Sequence, residues 1–333
     1  MGRGTAGIRR RRRRGRFWTR LLSIAGWLGV GAGAVALLCR SVGVHWQAMI
    51  IVASFAPLLM LCALLGAVLL ASRRSWTAVV IGAVVVLCLA VLQLPLFVAA
   101  STPPEGARLV VLQANLGLGG ADAAALVGHI REGHVDVLTA EELTEGAANR
   151  LGAAGIGELL PYHFLAAEAG ASGTGIWSRY PLIDSLRHDG FSLGVLSARV
   201  AVPDAGQVQV FAAHPPPPWP TSAQTWIAEM DGLADVLAEA TRHNSAVIAG
   251  GDFNATVDHA QFRHLLSGGY RDAAEQAGAG FVPTYPTDYP FPPLLTLDHV
   301  VTHDVAAHAV FSGRLPGSDH RGLQTDLVLP PLR

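Results

Sequence analysis

The sequence contains no lysine, and its first 100 residues contain no aspartate or glutamate. Those 100 residues carry 12 of the 24 arginines, whereas the rest of the chain carries the other 12 arginines and all 25 acidic residues. The total charge of −1 therefore combines a basic N-terminal part with a strongly acidic C-terminal part. Duplex DNA is not an expected partner of the acidic part, because binding to duplex DNA depends on Lys and Arg side chains that neutralise phosphates.

Cysteine is also scarce. The sequence has three cysteines, Cys39, Cys62 and Cys88, and all of them lie in or beside apolar stretches. The acidic part therefore has no disulfide, no thiolate metal site and no thiol nucleophile. Roughly 230 residues are enough to bury a hydrophobic core without such cross-links.

Long apolar stretches fill most of the first 100 residues. They are Leu21–Cys39, Met49–Ala71 and Thr77–Ala100. Each is close to the roughly 20 residues that a helix needs to cross a bilayer, and none contains a charged residue. We therefore predict three transmembrane helices within residues 21–100. A cleaved signal peptide would account for the first stretch but would leave the other two unexplained.

The positions of the arginines predict the membrane topology. Arg9–Arg14 precede the first stretch, and Arg73 and Arg74 separate the second from the third. Basic residues beside membrane spans are retained in the cytoplasm, so residues 1–20 are predicted to be a cytoplasmic segment. A basic arm that binds nucleic acid is the alternative interpretation of the arginine run. Three crossings would place the C-terminal part outside the plasma membrane.

After a linker at residues 101–107, the chain reads as one domain of mixed strands and helices, residues 108–333. The predicted strands are Leu109–Gln113, Val135–Ala140, Gly175–Ser178, Ser197–Val202, Val208–Ala213, Ala246–Ala249 and Leu297–Thr302. The predicted helices are Ala123–Arg131, Thr144–Leu151 and Ala223–Thr241. Several strands follow one another without a helix between them, which favours an α/β fold with two packed sheets flanked by helices.

Polar residues with catalytic potential follow the ends of these strands. Asp252 and Asn254 follow an apolar strand in the string Gly251-Asp252-Phe253-Asn254. The other such residues, in chain order, are Asn115, Glu142, His214, Asp298 and the triplet Ser318-Asp319-His320. Their order resembles that of the endonuclease/exonuclease/phosphatase superfamily, which includes DNase I, exonuclease III, sphingomyelinases and inositol-polyphosphate phosphatases. The resemblance covers residues 108–329.

This resemblance implies a DNase I-like four-layer α/β/β/α sandwich and a hydrolase that acts on phosphoester bonds. It implies Mg²⁺ as the cofactor, with Mn²⁺ as a possible substitute, because the ligands are oxygens rather than thiolates. The implied metal ligands are Glu142, Asn115 and Asp319. The implied catalytic residues are His320, Asp298, Asp252, Asn254 and His214.

Phosphoester hydrolysis explains why these residue types occur together. Negative charge grows on the phosphoryl and leaving oxygens, and a hard divalent cation stabilises it. The attacking water must lose a proton, which calls for a neutral histidine held by a carboxylate, such as His320 with Asp298. The family commonly has Gln before its metal-binding Glu, where this chain has Glu141. Side chains alternate across a strand, so only one of Glu141 and Glu142 can face the ion, and the motif register favours Glu142.

Two loops rich in proline and aromatic residues lie next to the motifs, Pro215–Pro220 and Tyr285–Pro293. Their candidate substrate-binding residues are Trp219, Tyr285 and Tyr289. They could be rigid packing elements or an apolar rim that meets lipid.

Because a short linker would keep the domain near the bilayer, the expected substrate is a membrane lipid phosphate or a lipid-linked pyrophosphate. The arrangement of three spans and one domain also resembles the VanJ-type glycopeptide-resistance proteins. An extracytoplasmic nuclease and a non-catalytic binding module are the alternatives, and the sequence assigns protein partners neither way.

Overall fold

A computed structural model describes residues 4–43, 45–100, 105–203, 205–243 and 246–331, and side chains from residue 17 onward. The chain divides into two units. The first unit comprises Met1–Val44 and Phe55–Leu94, and the second comprises His45–Ser54 and Pro95–Arg333.

The apolar part of the chain forms four α-helices. They are α1 (Gly4–Val42), α2 (Gln47–Ser54), α3 (Ala56–Ser72) and α4 (Trp76–Gln93), and a 3₁₀ turn at Leu94–Phe97 follows α4. Two helical segments are long and apolar enough to cross a membrane: Phe17–Val42, with mean hydropathy 2.0, and Trp76–Phe97, with mean hydropathy 2.7. These segments correspond to the first and third predicted spans.

The second predicted span differs from the expectation of one continuous helix. Helices α2 and α3 are separated at Phe55 and bent by 71°. Pro57 is the second residue of α3 and causes the break, because proline lacks an N–H and its ring clashes with the carbonyl four residues earlier. The described residues therefore contain two possible spans, or three if the bent pair crosses as one.

Glycines allow α1 and α3 to pack closely within the first unit. A Cβ at Gly29 of α1 would lie only 3.1 Å from the Cα of Gly66 of α3. Small residues at such contacts are typical of helix packing in lipid, where van der Waals contact rather than the hydrophobic effect holds helices together.

The second unit contains twelve strands and six further α-helices among its described residues. The strands are β1 (Arg108–Asn115), β2 (Val137–Glu141), β3 (Tyr162–Ala166), β4 (Thr174–Ser178), β5 (Leu182–Arg187), β6 (Val195–Val202), β7 (Gly206–Ala213), β8 (Val247–Asp252), β9 (Arg271–Asp272), β10 (Asp298–His303), β11 (Ala306–Arg314) and β12 (Arg321–Val328). The helices are α5 (Ala123–Glu132), α6 (Glu145–Ala153), α7 (Ile156–Leu159), α8 (Ala223–His243), α9 (Ala260–Leu266) and α10 (Ala273–Ala277).

The strands form two six-stranded sheets. Their orders are β11-β12-β1-β2-β4-β3 and β5-β6-β7-β8-β10-β9. The core between the sheets contains Val111 and Ile176 from the first sheet and Val210 and Ile248 from the second. Most strands contribute apolar residues to this core, and the two-sheet α/β fold predicted from the sequence is confirmed.

Helices cover the outer faces of both sheets. Leu126 and Ile130 of α5 pack with Leu138 and Trp177 on the first sheet. On the second sheet, the Trp226 indole of α8 donates a hydrogen bond to the Phe253 carbonyl just after β8. The buried residues of α8 recur at helical spacing, as the sequence predicts; they include Trp226, Met230, Leu233 and Leu237.

Strand register brings the catalytic candidates together. Strands β1 and β2 are parallel, with Asn115 opposite Glu141, so their carboxyl ends lie side by side. Strands β7 and β8 are also parallel, and the antiparallel β10 starts with Asp298 directly opposite Asp252. The polar residues that follow these strands therefore meet at one edge of the two sheets.

The close approach of the sheets gives a test of the packing. A Cβ at Gly250 of β8 would collide with Thr139 Oγ1 of β2, an atom with no hydrogen-bond partner among the described residues. We predict that Gly250→Ala destabilises the fold by about 1–3 kcal/mol through overpacking. The thermal midpoint of the detergent-solubilised protein should fall by roughly 3–10 °C.

The double variant Gly250→Ala, Thr139→Ala should recover most of that loss, because the substitution of Thr139 removes the colliding hydroxyl. Gly152→Ala in α6, where a Cβ would meet open space, serves as the control. Equal midpoints for Gly250→Ala and the double variant would contradict the packing described.

Candidate active site

A histidine–carboxylate pair lies at the centre of the site. His320 Nδ1 lies 2.7 Å from Asp298 Oδ2, so the imidazole orientation is fixed by a buried carboxylate. His320 Nε2 faces the opposite way and lies 3.6 Å from Asp252 Oδ2. The pair that the sequence predicts is therefore present as a geometric unit.

Several predicted site residues surround the carboxylate of Asp252. Its carboxylate accepts hydrogen bonds from Asn115 Nδ2 at 3.0 Å and from the Asn254 backbone N–H at 2.9 Å. His214 Nε2 lies 3.7 Å away, while His214 Nδ1 faces the Ala171 carbonyl at 3.2 Å. Predicted residues from four separate parts of the chain thus meet around one buried carboxylate.

Ser318 connects the C-terminal triplet to the first strand. Its hydroxyl donates to the Asn115 carbonyl at 2.8 Å and accepts from the His320 backbone N–H at 3.0 Å. These two bonds fix where the chain enters the site before β12.

Asn115 orients the neighbouring carboxylates. Its Nδ2 donates to Asp252 and also to Glu142 Oε1 at 3.2 Å, and its Oδ1 accepts from the Gly117 N–H at 2.9 Å. The Leu118 N–H donates to Glu142 Oε2. The Asn115 amide oxygen keeps a second lone pair for a metal. Its amide nitrogen orients Asp252 and Glu142, a role that the sequence did not reveal.

Glu142 and Asp319 line an open cleft of about 550 Å³. The remaining lining residues are Gly117, Leu118, Thr287, Asp288, Arg314, Gly317 and Ser318. The lining contains three carboxylates and one cation, Arg314, so the cleft favours a bound metal ion. Thr287, Asp288 and Arg314 were not predicted, because no spacing connects them to the motifs.

Glu141 lies behind the cleft. It is fully buried at the end of β2, and its Oε2 accepts from Gln113 Nε2 at 2.7 Å. Gln113 also donates to Asp298 Oδ1 at 2.8 Å. Burial raises the pKa of Glu141 well above its ordinary value, and Asp298 and Asp252 add to that rise. A neutral Glu141 has the shape and charge of the Gln that is common at this position in the superfamily.

Gln113 is a further site residue that the sequence analysis missed. It precedes Asn115 by two positions in β1, so both side chains lie on the same face of the strand. That alternation could have identified it.

The electrostatics of His320 differ from the neutral histidine expected from the sequence. Burial alone lowers the pKa of His320, but Asp298 and Asp252 outweigh burial and raise it to about 10. The two carboxylates therefore favour the imidazolium form of His320. For Asp298, burial raises the pKa, but the charge and hydrogen bond of His320 are stronger and hold it below its ordinary value.

Burial dominates at the two neighbouring groups. It raises the pKa of Asp252, although His320 opposes the rise, and it lowers the pKa of His214 against the opposing effect of Asp252. A neutral His214 with its Nδ1 proton on the Ala171 carbonyl presents Nε2 to the site as an acceptor.

Asn254 faces the site from a strained turn. Its φ of 48° lies in the left-handed region, which Asn tolerates better than most residues. Its Nδ2 donates to the Pro215 carbonyl at 3.0 Å, which connects it to the first proline-rich loop.

The three candidate substrate-binding aromatics occupy different places. Tyr285 packs against the His320 ring with centroids 4.8 Å apart. Trp219 is 67% exposed, and Tyr289 is 56% exposed and stacks on Phe291. None of the three lines the cleft.

Comparison with known proteins places this geometry in a family. A profile of the endonuclease/exonuclease/phosphatase family matches residues 112–320. The chain belongs to this family. No curated protein matches significantly.

Solved structures support the same fold at low sequence identity. A Danio rerio TDP2 complexed with a single-strand DNA product is 18% identical, with a TM-score of 0.55 over 66% of this chain and 99% of that chain. An endonuclease/exonuclease/phosphatase from Beutenbergia cavernae is 19% identical, with a TM-score of 0.53 over 67% of this chain and 72% of that chain. The Neisseria 3′ phosphatase NExo, bound to a product DNA hairpin, is 15% identical, with a TM-score of 0.53 over 65% and 98%.

Members of the family typically depend on a divalent metal, and the site offers oxygen ligands in two places. Asp252, Asp298 and His320 present ligand atoms within 4.8 Å of one another. However, Asp298 already accepts from His320 and Gln113, and all three side chains are buried. Glu142 and Asp319 line the open cleft instead, which suits a metal that must also contact substrate.

The two adjacent glutamates can be distinguished by mutation. We predict that Glu141→Gln keeps phosphoesterase activity within about twofold, because the residue is buried, accepts from Gln113 and does not reach the cleft. Glu142→Gln should lower Mg²⁺-dependent activity by about 100-fold or more, because it removes a charged oxygen ligand. Hydrolysis of bis(p-nitrophenyl) phosphate over a range of Mg²⁺ concentrations measures both effects.

If Glu141→Gln lost activity and Glu142→Gln kept it, Glu141 rather than Glu142 would be the metal ligand. The thermal midpoint of each variant separates loss of metal binding from loss of folding.

Proposed function

We propose that this protein is a membrane-anchored, metal-dependent phosphoesterase that hydrolyses a lipid-linked phosphate or pyrophosphate outside the plasma membrane. The observation that carries the proposal is the convergence of Asp298, His320 and Asp252 beside a cleft lined by Glu142 and Asp319. Family membership supports hydrolysis of a phosphoester bond.

The cleft fits Mg²⁺, with Mn²⁺ as a substitute. Glu142 and Asp319 would hold the ion through hard carboxylate oxygens, with Asn115 orienting Glu142. A bound divalent ion would supply positive charge to the phosphoryl and leaving oxygens.

The remaining residues handle the proton and the phosphoryl group. Asp252 Oδ2, 3.6 Å from His320 Nε2, accepts the proton of the attacking water, and the His320 imidazolium can donate its Nε2 proton to the leaving oxygen. Asp298 keeps the His320 ring in this orientation. Asn254, on the other side of Asp252, contacts the phosphoryl oxygens. The same contact from His214 requires the protonated ring, which donates from Nε2 as well as from Nδ1.

Charge and chain connection support a lipid rather than a nucleic acid substrate. The domain has 25 acidic residues and 12 arginines after residue 100, which disfavours a polyanion. Two or three possible spans precede it in the same chain, and a tethered site is concentrated at the membrane surface. The exposed Trp219 and Tyr289 suit an interface between lipid and water.

The arginine pattern supports a cytoplasmic N-terminus and an extracytoplasmic domain. The same arrangement resembles VanJ-type glycopeptide-resistance proteins, so a role in antibiotic resistance through an envelope lipid belongs to this proposal.

The deciding experiment compares two substrate classes. The purified full chain is incubated with Mg²⁺ and either polyprenyl pyrophosphate in detergent micelles or plasmid DNA. We expect phosphate release from the lipid and intact plasmid. Plasmid degradation that falls steeply with salt, without phosphate release from lipid, would identify a nuclease instead.

Removal of the central histidine should abolish catalysis. We predict that His320→Ala lowers kcat by about 10²–10⁴-fold, as expected for loss of a residue that moves a proton or stabilises charge. His163→Ala, at an exposed position of β3, should keep wild-type activity. A His320→Ala variant that folds and retains activity would exclude the proposed site.

Arg314 should recognise a second phosphate. It is the one cation among the residues that line the cleft, so it can pair with a charged group next to the reacting phosphorus. We predict that Arg314→Ala raises KM for a pyrophosphate substrate by about tenfold with a smaller change in kcat. Arg131→Ala, exposed on α5, is the matched control, and an unchanged KM would remove Arg314 from the substrate site.

A further inference from the structure

Helix α2 belongs to the catalytic unit although it lies between two apolar helices in the sequence. His45–Ser54 groups with Pro95–Arg333, whereas α1 and α3 on either side of it group together. Its contacts within the second unit involve two loops that border the candidate site.

The first contact is at the start of α2. Gln47 Nε2 donates to the Pro218 carbonyl at 2.8 Å and to the Thr221 carbonyl at 3.3 Å. These carbonyls lie on either side of Trp219 in the first proline-rich loop. The same loop begins at Pro215, whose carbonyl accepts from Asn254 Nδ2. Gln47 is therefore hydrogen-bonded to the same loop that accepts a hydrogen bond from Asn254.

The second contact is at the end of α2. His259 Nε2 lies 2.9 Å from the Ile50 carbonyl and 3.2 Å from Ser54 Oγ. His259 Nδ1 accepts from the Thr256 N–H at 2.8 Å, so the proton of a neutral ring is on Nε2. This histidine is buried at the start of the helix that follows the Asp252–Asn254 turn.

Trp226 extends the second contact toward the site. Its ring packs edge-on against His259 with centroids 5.2 Å apart, and its Nε1 donates to the Phe253 carbonyl at 3.3 Å. Phe253 stands between Asp252 and Asn254. Helix α2 thus contacts both segments that position Asn254. Gln47 contacts the first proline-rich loop, and His259 connects α2 to Phe253 through Trp226.

We propose that α2 is a positioning element of the active site, and that Gln47 positions Asn254 through the Pro215–Thr221 loop. The proposal rests on the proposed function only where it assigns Asn254 to the phosphoryl group. A segment of the apolar N-terminal region is then required for the geometry of the catalytic residues.

A double-mutant cycle tests the coupling. Gln47→Met keeps the side-chain length and removes the two hydrogen bonds, and we expect kcat for bis(p-nitrophenyl) phosphate to fall by about tenfold with little change in KM. In an Asn254→Ala background the same substitution should have no further effect, because Gln47 acts through Asn254. Gln207→Met, at an exposed position at the far end of β7, is the matched control.

Equal activity of Gln47→Met and wild type would overturn the proposal. So would the same fold-change in both backgrounds, since a general loss of stability affects the two backgrounds equally.

Hydrogen–deuterium exchange separates this inference from the proposed function, because it needs no turnover. In the full-length Gln47→Met variant, amides of Trp219, Thr221, Ser222 and residues 253–256 should exchange faster than in wild type, while amides of β1 and β2 stay unchanged. Unchanged exchange in both loops would refute the positioning role even if the enzyme is active. Failure of wild type to hydrolyse any phosphoester would refute the proposed function, and the exchange result would still decide the role of α2.

Discussion

The buried carboxylate of Asp252 is the constraint on which the site depends. A carboxylate removed from water is costly unless hydrogen-bond donors and cations replace the lost solvent. Asn115, from the first sheet, and the Asn254 backbone, from the second, supply those donors, and His320 faces it as a cation. The two sheets must therefore keep a fixed register, because a displacement of either sheet would separate Asp252 from Asn115 and His320 and leave it only the Asn254 N–H. Gly250, next to Thr139, permits this close approach one layer below the site.

The sequence predicted several central strands but missed β12, whose residues are mostly buried, as well as the strands at the sheet edges. Strands β1, β7 and β8 are rich in buried apolar residues, and each was predicted within a few residues. Strands β3 and β5 lie at sheet edges with largely exposed or half-buried residues, so neither gives a strong apolar pattern. The break before α3 was missed because hydropathy does not distinguish proline at a helix start from proline in a continuous helix.

For the site, motif order identified the residues, but the environment of each residue required the fold. Glu141 is buried behind the cleft and Glu142 lines it, but Glu142 follows the end of β2 with a φ of 55°, so the turn rather than strand alternation separates the two side chains. The charge of His320 could not be predicted, because Asp252 and Asp298 are distant from it in sequence and flank it only in the folded chain. Arg314 was missed for the same reason: it reaches the cleft from the end of β11 without any sequence pattern.

The discontinuous origin of the catalytic unit has a consequence for how the chain is made. Helix α2 leaves the ribosome long before its contacts at Pro218 and His259 exist. More than 160 residues separate Gln47 from Pro218, which corresponds to roughly 10–30 s of synthesis at about 5–20 residues per second. During that interval α2 cannot make these contacts, so it docks only after residues 215–259 have been synthesised. A substitution such as Gln47→Met would then act on the assembly of the chain as well as on the folded state.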